Sequence, residues 1–64
     1  MINKIQLNSA QVNLTKIWLK PNYIPYAYDP TKGTLWYWQI WGGQPVKNAT
    51  KLSADQIHQL DQLR

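Results

Sequence analysis

The spacing of apolar side chains changes along this chain, and each change marks an element. The stretch Thr34-Leu35-Trp36-Tyr37-Trp38-Gln39-Ile40-Trp41 holds three of the four tryptophans. Aromatic and β-branched side chains suit a pleated, half-buried surface, so this stretch predicts a strand over 34–41. Gly33 before it and Gly42-Gly43 after it predict turns. Alternation sends Trp36, Trp38 and Ile40 to one face and Leu35, Tyr37, Gln39 and Trp41 to the other. Residues 2–7 alternate more loosely, with Ile5 and Leu7 opposite Lys4 and Gln6, and predict a first strand. Asn8-Ser9-Ala10-Gln11 reads as a turn or short loop. The run 12–19 reads as a second strand, with Thr15, Ile17 and Leu19 on one face and Val12, Leu14, Lys16 and Trp18 on the other.

Proline and glycine punctuate the middle of the chain. Lys20-Pro21-Asn22-Tyr23 suits a β-turn, because proline fixes φ and asparagine tolerates the left-handed region. Residues 23–28 then read as extended. Pro25 has no N–H to give a ladder, which predicts an edge strand or a strand entry there. Asp29-Pro30-Thr31-Lys32-Gly33 is a turn signal, so 23–28 and 34–41 are expected to form a hairpin around it. Gly42-Gly43 permits a tight reversal into a short edge strand over 44–47, with Pro45 limiting its length and 48–51 acting as a connector.

The last segment switches to a helical period. Ser53 as N-cap with Gln56 three residues on forms a capping box, and Leu52 with Ile57 forms a hydrophobic staple. Ala54, Ile57, Leu60 and Leu63 line one stripe of a helix over 54–63. Such a short helix is marginal alone and must dock on the sheet. The predicted architecture is α+β: one domain over 1–64, a small antiparallel meander of three to five strands, and one C-terminal helix packed on one face.

Composition narrows what holds this together. A chain of 64 residues buries about 60% of its unfolded surface. There are no cysteines, which excludes disulfides and thiolate metal sites. There is no Phe either, so every large ring is a Trp or Tyr with a polar handle, suited to a core or to an interface. The helix covers one face of the sheet, which leaves rings on the other. Trp36, Trp38 and Ile40 are expected beneath the helix, and Tyr37, Trp41 and Trp18 on the uncovered face.

The inventory for catalysis is thin. All three carboxylates are aspartates, Asp29, Asp55 and Asp61, and the one histidine is His58. Asp55, His58 and Asp61 recur every three residues, and the reading for them is a solvated helix face. No enzyme, metal or cofactor is expected. The stretch Met1 to Gln6 lacks the long apolar run of a secretory signal, and no stretch approaches a membrane span, which gives a cytoplasmic expectation. On that ground the glycosylation patterns Asn13-Leu14-Thr15 and Asn48-Ala49-Thr50 read as chance.

Net charge is +4, and six of the seven cations are lysines spread along the chain. A basic domain with spare aromatic rings predicts a non-catalytic binding module. Single-stranded nucleic acid is the first reading: bases stack on Trp and Tyr while lysines follow the phosphates. The candidate residues are Trp18, Tyr26, Tyr37 and Trp41 with Lys16, Lys20, Lys32 and Lys47. With Arg64 the sole arginine, sequence specificity is expected to be low. The second reading is a protein partner, as an adaptor, an inhibitor or a homodimer, held by the same rings. The run from Trp38 to Pro45, Trp-Gln-Ile-Trp-Gly-Gly-Gln-Pro, resembles the Trp-rich loops of small chitin-binding modules. That resemblance, which covers only a fraction of the chain, implies a third reading, a platform for sugar rings.

Overall fold

The structure is a computed structural model that describes residues 4–64, without the side chain of Trp41. In chain order the elements are β1 (Ile5–Gln6), α1 (Ser9–Trp18), β2 (Tyr23–Asp29), β3 (Thr34–Trp41), β4 (Gln44–Lys51) and α2 (Ala54–Asp61). The four strands form one antiparallel sheet in the order β1-β2-β3-β4. This is the expected α+β fold with a C-terminal helix, and it has one helix more than expected. The part of the first predicted strand before Lys4 lies outside the described residues.

The additional helix replaces the strand expected over 12–19. Asn8 is its N-cap: the Gln11 backbone N–H donates to Asn8 Oδ1, and the Asn8 N–H donates to Gln11 Oε1, both at 2.9 Å. This capping box fixes the first turn. The inward positions are Gln11, Leu14, Thr15 and Trp18, a helical stripe in which two members are polar. Both polar members are fully buried and satisfied. Gln11 Nε2 donates to the Leu60 carbonyl at 2.9 Å, and Thr15 Oγ1 donates to the Gln11 carbonyl at 3.0 Å. The β-branched residues between them imitate a strand pattern, and the polar core positions hide the helical one. After Trp18, Pro21 prevents continuation, and the predicted turn closes with Tyr23 N–H donating to the Lys20 carbonyl at 3.0 Å.

β2 is an inner strand with Pro25 as its third residue, where Pro25 predicted an edge strand or a strand entry. The β1 ladder reaches only Tyr28 and Ala27, with one further bond from Leu7 N–H to the Tyr26 carbonyl. Pro25 lies just beyond it, at a register shift between Pro25 and Ala27, where the outer side of β2 needs no donor. The β2–β3 hairpin turns where expected. Asp29 Oδ1 accepts from the backbone N–H of Thr31 and Lys32, and Gly33 leaves the turn at φ 68°. A Cβ at Gly33 would stand 3.2 Å from the Leu52 carbonyl oxygen and 3.3 Å from Ile57 Cδ1, so the turn also seats the entry to α2.

β4 runs to Lys51 rather than stopping at Lys47. Pro45 is its second residue, on an edge strand, where a missing N–H is tolerated. Gly42 and Gly43, at φ 59° and 83°, make the two-residue reversal between Trp41 and Gln44.

The core sits between the sheet and both helices. Tyr28, Leu35 and Leu60 are its buried centre, with Ile5, Leu7, Leu14, Trp18, Leu19 and Leu52 packed around them. Tyr28 and Leu35 are register partners, so they share a face, and that face is the one the helices cover.

Candidate functional site

The face beneath the helices is the reverse of the expected one. Leu35 and Tyr37 point into the molecule; Trp36, Trp38 and Ile40 point away from the helices and are half-buried. The inversion follows from register. Asp29 pairs with Thr34 across the turn, so Tyr28 falls opposite Leu35, and Ile5 opposite Tyr28. The apolar stripe Ile5, Tyr28, Leu35 then defines the inner side. A one-residue slip would have exchanged the faces.

Of the expected ligand residues, Tyr37 and Trp18 belong to the inner side. Tyr37 is 6% exposed and stacks on Tyr23, with ring centroids 4.7 Å apart. Its phenol pKa is raised by burial and, second, by the neighbouring Tyr23. Trp18 packs on the core from α1. The side chain of Trp41 lies outside the described residues. Lys16 is in the last turn of α1, Lys20 follows that helix, and Lys32 is in the β2–β3 turn, so none of the three lies on the open face of the sheet. Tyr26 and Lys47 do lie there.

The open face is built by alternation from all four strands. Lys4 and Gln6 come from the β1 segment, Ile24, Tyr26 and Ala27 from β2, Trp36, Trp38 and Ile40 from β3, and Lys47, Ala49 and Lys51 from β4. The register shift after Pro25 turns both Tyr26 and Ala27 outward, which brings Tyr26 to 5.8 Å from Trp38 at a tilt of 38°. Lys4 Nζ lies 5.0 Å from the Tyr26 ring centroid and 4.9 Å from that of Trp36; Lys47 Nζ lies 5.4 Å from Trp38. Each contact contributes about 0.5–1 kcal/mol at an exposed site. A shallow depression of about 450 Å³ is lined by Lys4, Tyr26, Trp36, Lys47, Asn48 and Ala49. A smaller one of about 230 Å³ continues past Ala49 to Thr34, Thr50 and Lys51.

The carboxylates are not presented on this face. Asp29 is buried in its own turn, and Asp55 and Asp61 are on α2. Asp61 serves the fold: its Oδ1 accepts from Tyr28 Oη at 2.8 Å and from Arg64 Nη2 at 2.8 Å. The Arg64 guanidinium, and then the Tyr28 hydroxyl, hold the Asp61 carboxyl below its ordinary range. Burial, and then the bond to Asp61, push the Tyr28 phenol up. His58 Nε2 lies 3.0 Å from Gln62 Nε2 on the exposed side of α2. Among the described residues no three His or Asp side chains converge as a metal site, and no helix is long and apolar enough to cross a membrane.

Of the residues on this face, the sequence does not single out Lys4, Ala49 or Lys51, and it assigns Trp36 and Trp38 to the covered side. The signal was the alternation of Lys4 against Ile5, which marks the side opposite the core once Ile5 is placed inside. Compared with known proteins, the chain matches no family model, no curated protein sequence and no solved structure.

Proposed function

We propose that the open face binds single-stranded nucleic acid, without catalysis and with little sequence preference. The reading rests on one juxtaposition: Tyr26, Trp36 and Trp38 share a face with Lys4, Lys47 and Lys51, and among the described residues that face has no exposed carboxylate, Asp29 at its rim being buried. Ring faces stack bases at about 1–3 kcal/mol each. The Lys4 and Lys47 ammonium groups rest on rings rather than on fixed carboxylates, so a phosphate can draw them off without breaking an ion pair. The same absence of negative charge disfavours a cationic ligand for the cage that Tyr26 and Trp36 make around Lys4.

The test is intrinsic tryptophan fluorescence titrated with a single-stranded oligonucleotide at several salt concentrations. Three phosphate-tracking lysines predict that log K falls against log salt with a slope of about −2. Absence of quenching at low salt would remove this reading. A protein partner, including a second copy of the chain, is the other reading, favoured by Ile24, 46% exposed, and Ile40 beside the rings. Self-association that shields the tryptophans and ignores salt would select it.

A further inference from the structure

The β4 side of this face is more specific than a flat platform. Ala49 stands directly opposite Trp36 in the register, with Lys47 two residues before it and Lys51 two residues after it on the same side. Every neighbouring outward position on β3 carries a larger side chain, so the surface dips at Ala49, and both depressions have it in their lining. The larger one falls in the range of about 300–1,000 Å³ typical of small-ligand sites. Its wall is the Trp36 indole. Lys47 lines the larger depression and Lys51 the smaller one, so the two lysines stand on either side of Ala49, about 13 Å apart along the strand, four residues at the usual rise.

Resting on the nucleic-acid reading above, we infer that the dip at Ala49 is a slot for one nucleobase, with the phosphates on its 5′ and 3′ sides held by Lys47 and Lys51. A base lying against Trp36 has a phosphate on each side of it along its own strand, and the slot has a cation on each side of it along β4. Lys4, now resting on Trp36, is the group the base displaces. The ligand unit is therefore a nucleoside with two phosphates, not one. The aromatic wall accepts any base, which agrees with low sequence preference.

Two measurements on the full chain test this. The first uses the unaltered protein: deoxythymidine 3′,5′-bisphosphate should compete with an oligothymidylate of about eight nucleotides roughly tenfold better than thymidine 5′-monophosphate does. The second fills the slot. Ala49 is exposed on an edge strand, so Ala49→Leu should leave the thermal transition in place while weakening oligothymidylate binding about tenfold. Lys47→Gln with Lys51→Gln should reduce the salt slope by about 1.4, and Lys16→Gln should leave it unchanged. If the unaltered chain binds no oligonucleotide, the functional reading itself fails. If it binds, but the bisphosphate competes no better than the monophosphate, the slot is overturned and an undivided stacking platform remains. Should Ala49→Leu unfold the chain, the competition result alone decides.

Discussion

The two faces of this sheet carry the same kinds of ring in different surroundings. On the inner face the Tyr28 hydroxyl bonds Asp61, and the Tyr37 ring is buried in a stack on Tyr23. On the outer face Tyr26, Trp36 and Trp38 stay half-buried, and their company is lysine ammonium groups. The difference lies in what each face is joined to, not in the rings. The inner one is continuous with two capped helices, whose ends are themselves tied together. Gln11 and Asn8, at the start of α1, donate to the carbonyls of Leu60, in the last turn of α2, and of Leu63, just past it. The last carbonyls of a helix lack i+4 partners: that of Leu63 accepts from Asn8, and that of Leu60 accepts from Gln11 as well as from the Leu63 N–H at 3.0 Å. An aromatic side chain in this chain is thus structural when a helix completes it and available when only a lysine does.

That contrast can be broken at several points. The largest effect is expected from Leu60→Ala, which opens a cavity in the buried centre and should destabilise by about 2–5 kcal/mol in chemical denaturation. Trp38→Ala, a larger deletion on the other face, should change stability by only about 1 kcal/mol. It should instead weaken oligonucleotide binding by about 1–3 kcal/mol in fluorescence titration. Equal destabilisation by the two would end the distinction between the faces. Tyr28→Phe removes the donor to Asp61 while keeping the ring, and should lower stability by about 1–2 kcal/mol with no effect on binding. Asn8→Ala should lower stability by about 1 kcal/mol through loss of the α1 cap. Ser53→Ala, which caps α2 alone, should lower it no more than that.

The smallest expected effect is a pH dependence. The folded-state pKa of Asp61 is lowered, by Arg64 first and Tyr28 second. Its contribution is therefore present above the unfolded aspartate value of about 4 and is lost as pH falls through the folded value. The stability gap between the wild-type chain and Asp61→Asn should be full at neutral pH and close in acid. A gap unchanged in acid would mean that the carboxylate is not what joins α2 to Tyr28.

Local chemistry alone determined much of this protein. The turns at Lys20–Tyr23, Asp29–Gly33 and Gly42-Gly43, the central strand and the capped C-terminal helix are all written in short-range patterns. Each rests on residues that impose φ, supply a cap or alternate. α1 was not legible as a helix because its inward stripe includes Gln11 and Thr15. A buried glutamine looks like a core residue only once the Leu60 carbonyl that it bonds has arrived from the far end of the chain. Pro25 misled for a related reason: whether a strand position needs a donor depends on how far its neighbour extends.

The choice of face belonged entirely to the tertiary structure. Residues 34–41 alternate equally well either way up, and strands carry no preference for which side is covered. The decision came from the pairing of Asp29 with Thr34 and of Ile5 with Tyr28, contacts between segments that pattern alone does not align. The sequence thus required that some indole rings stay outside, and the register chose Trp36 and Trp38.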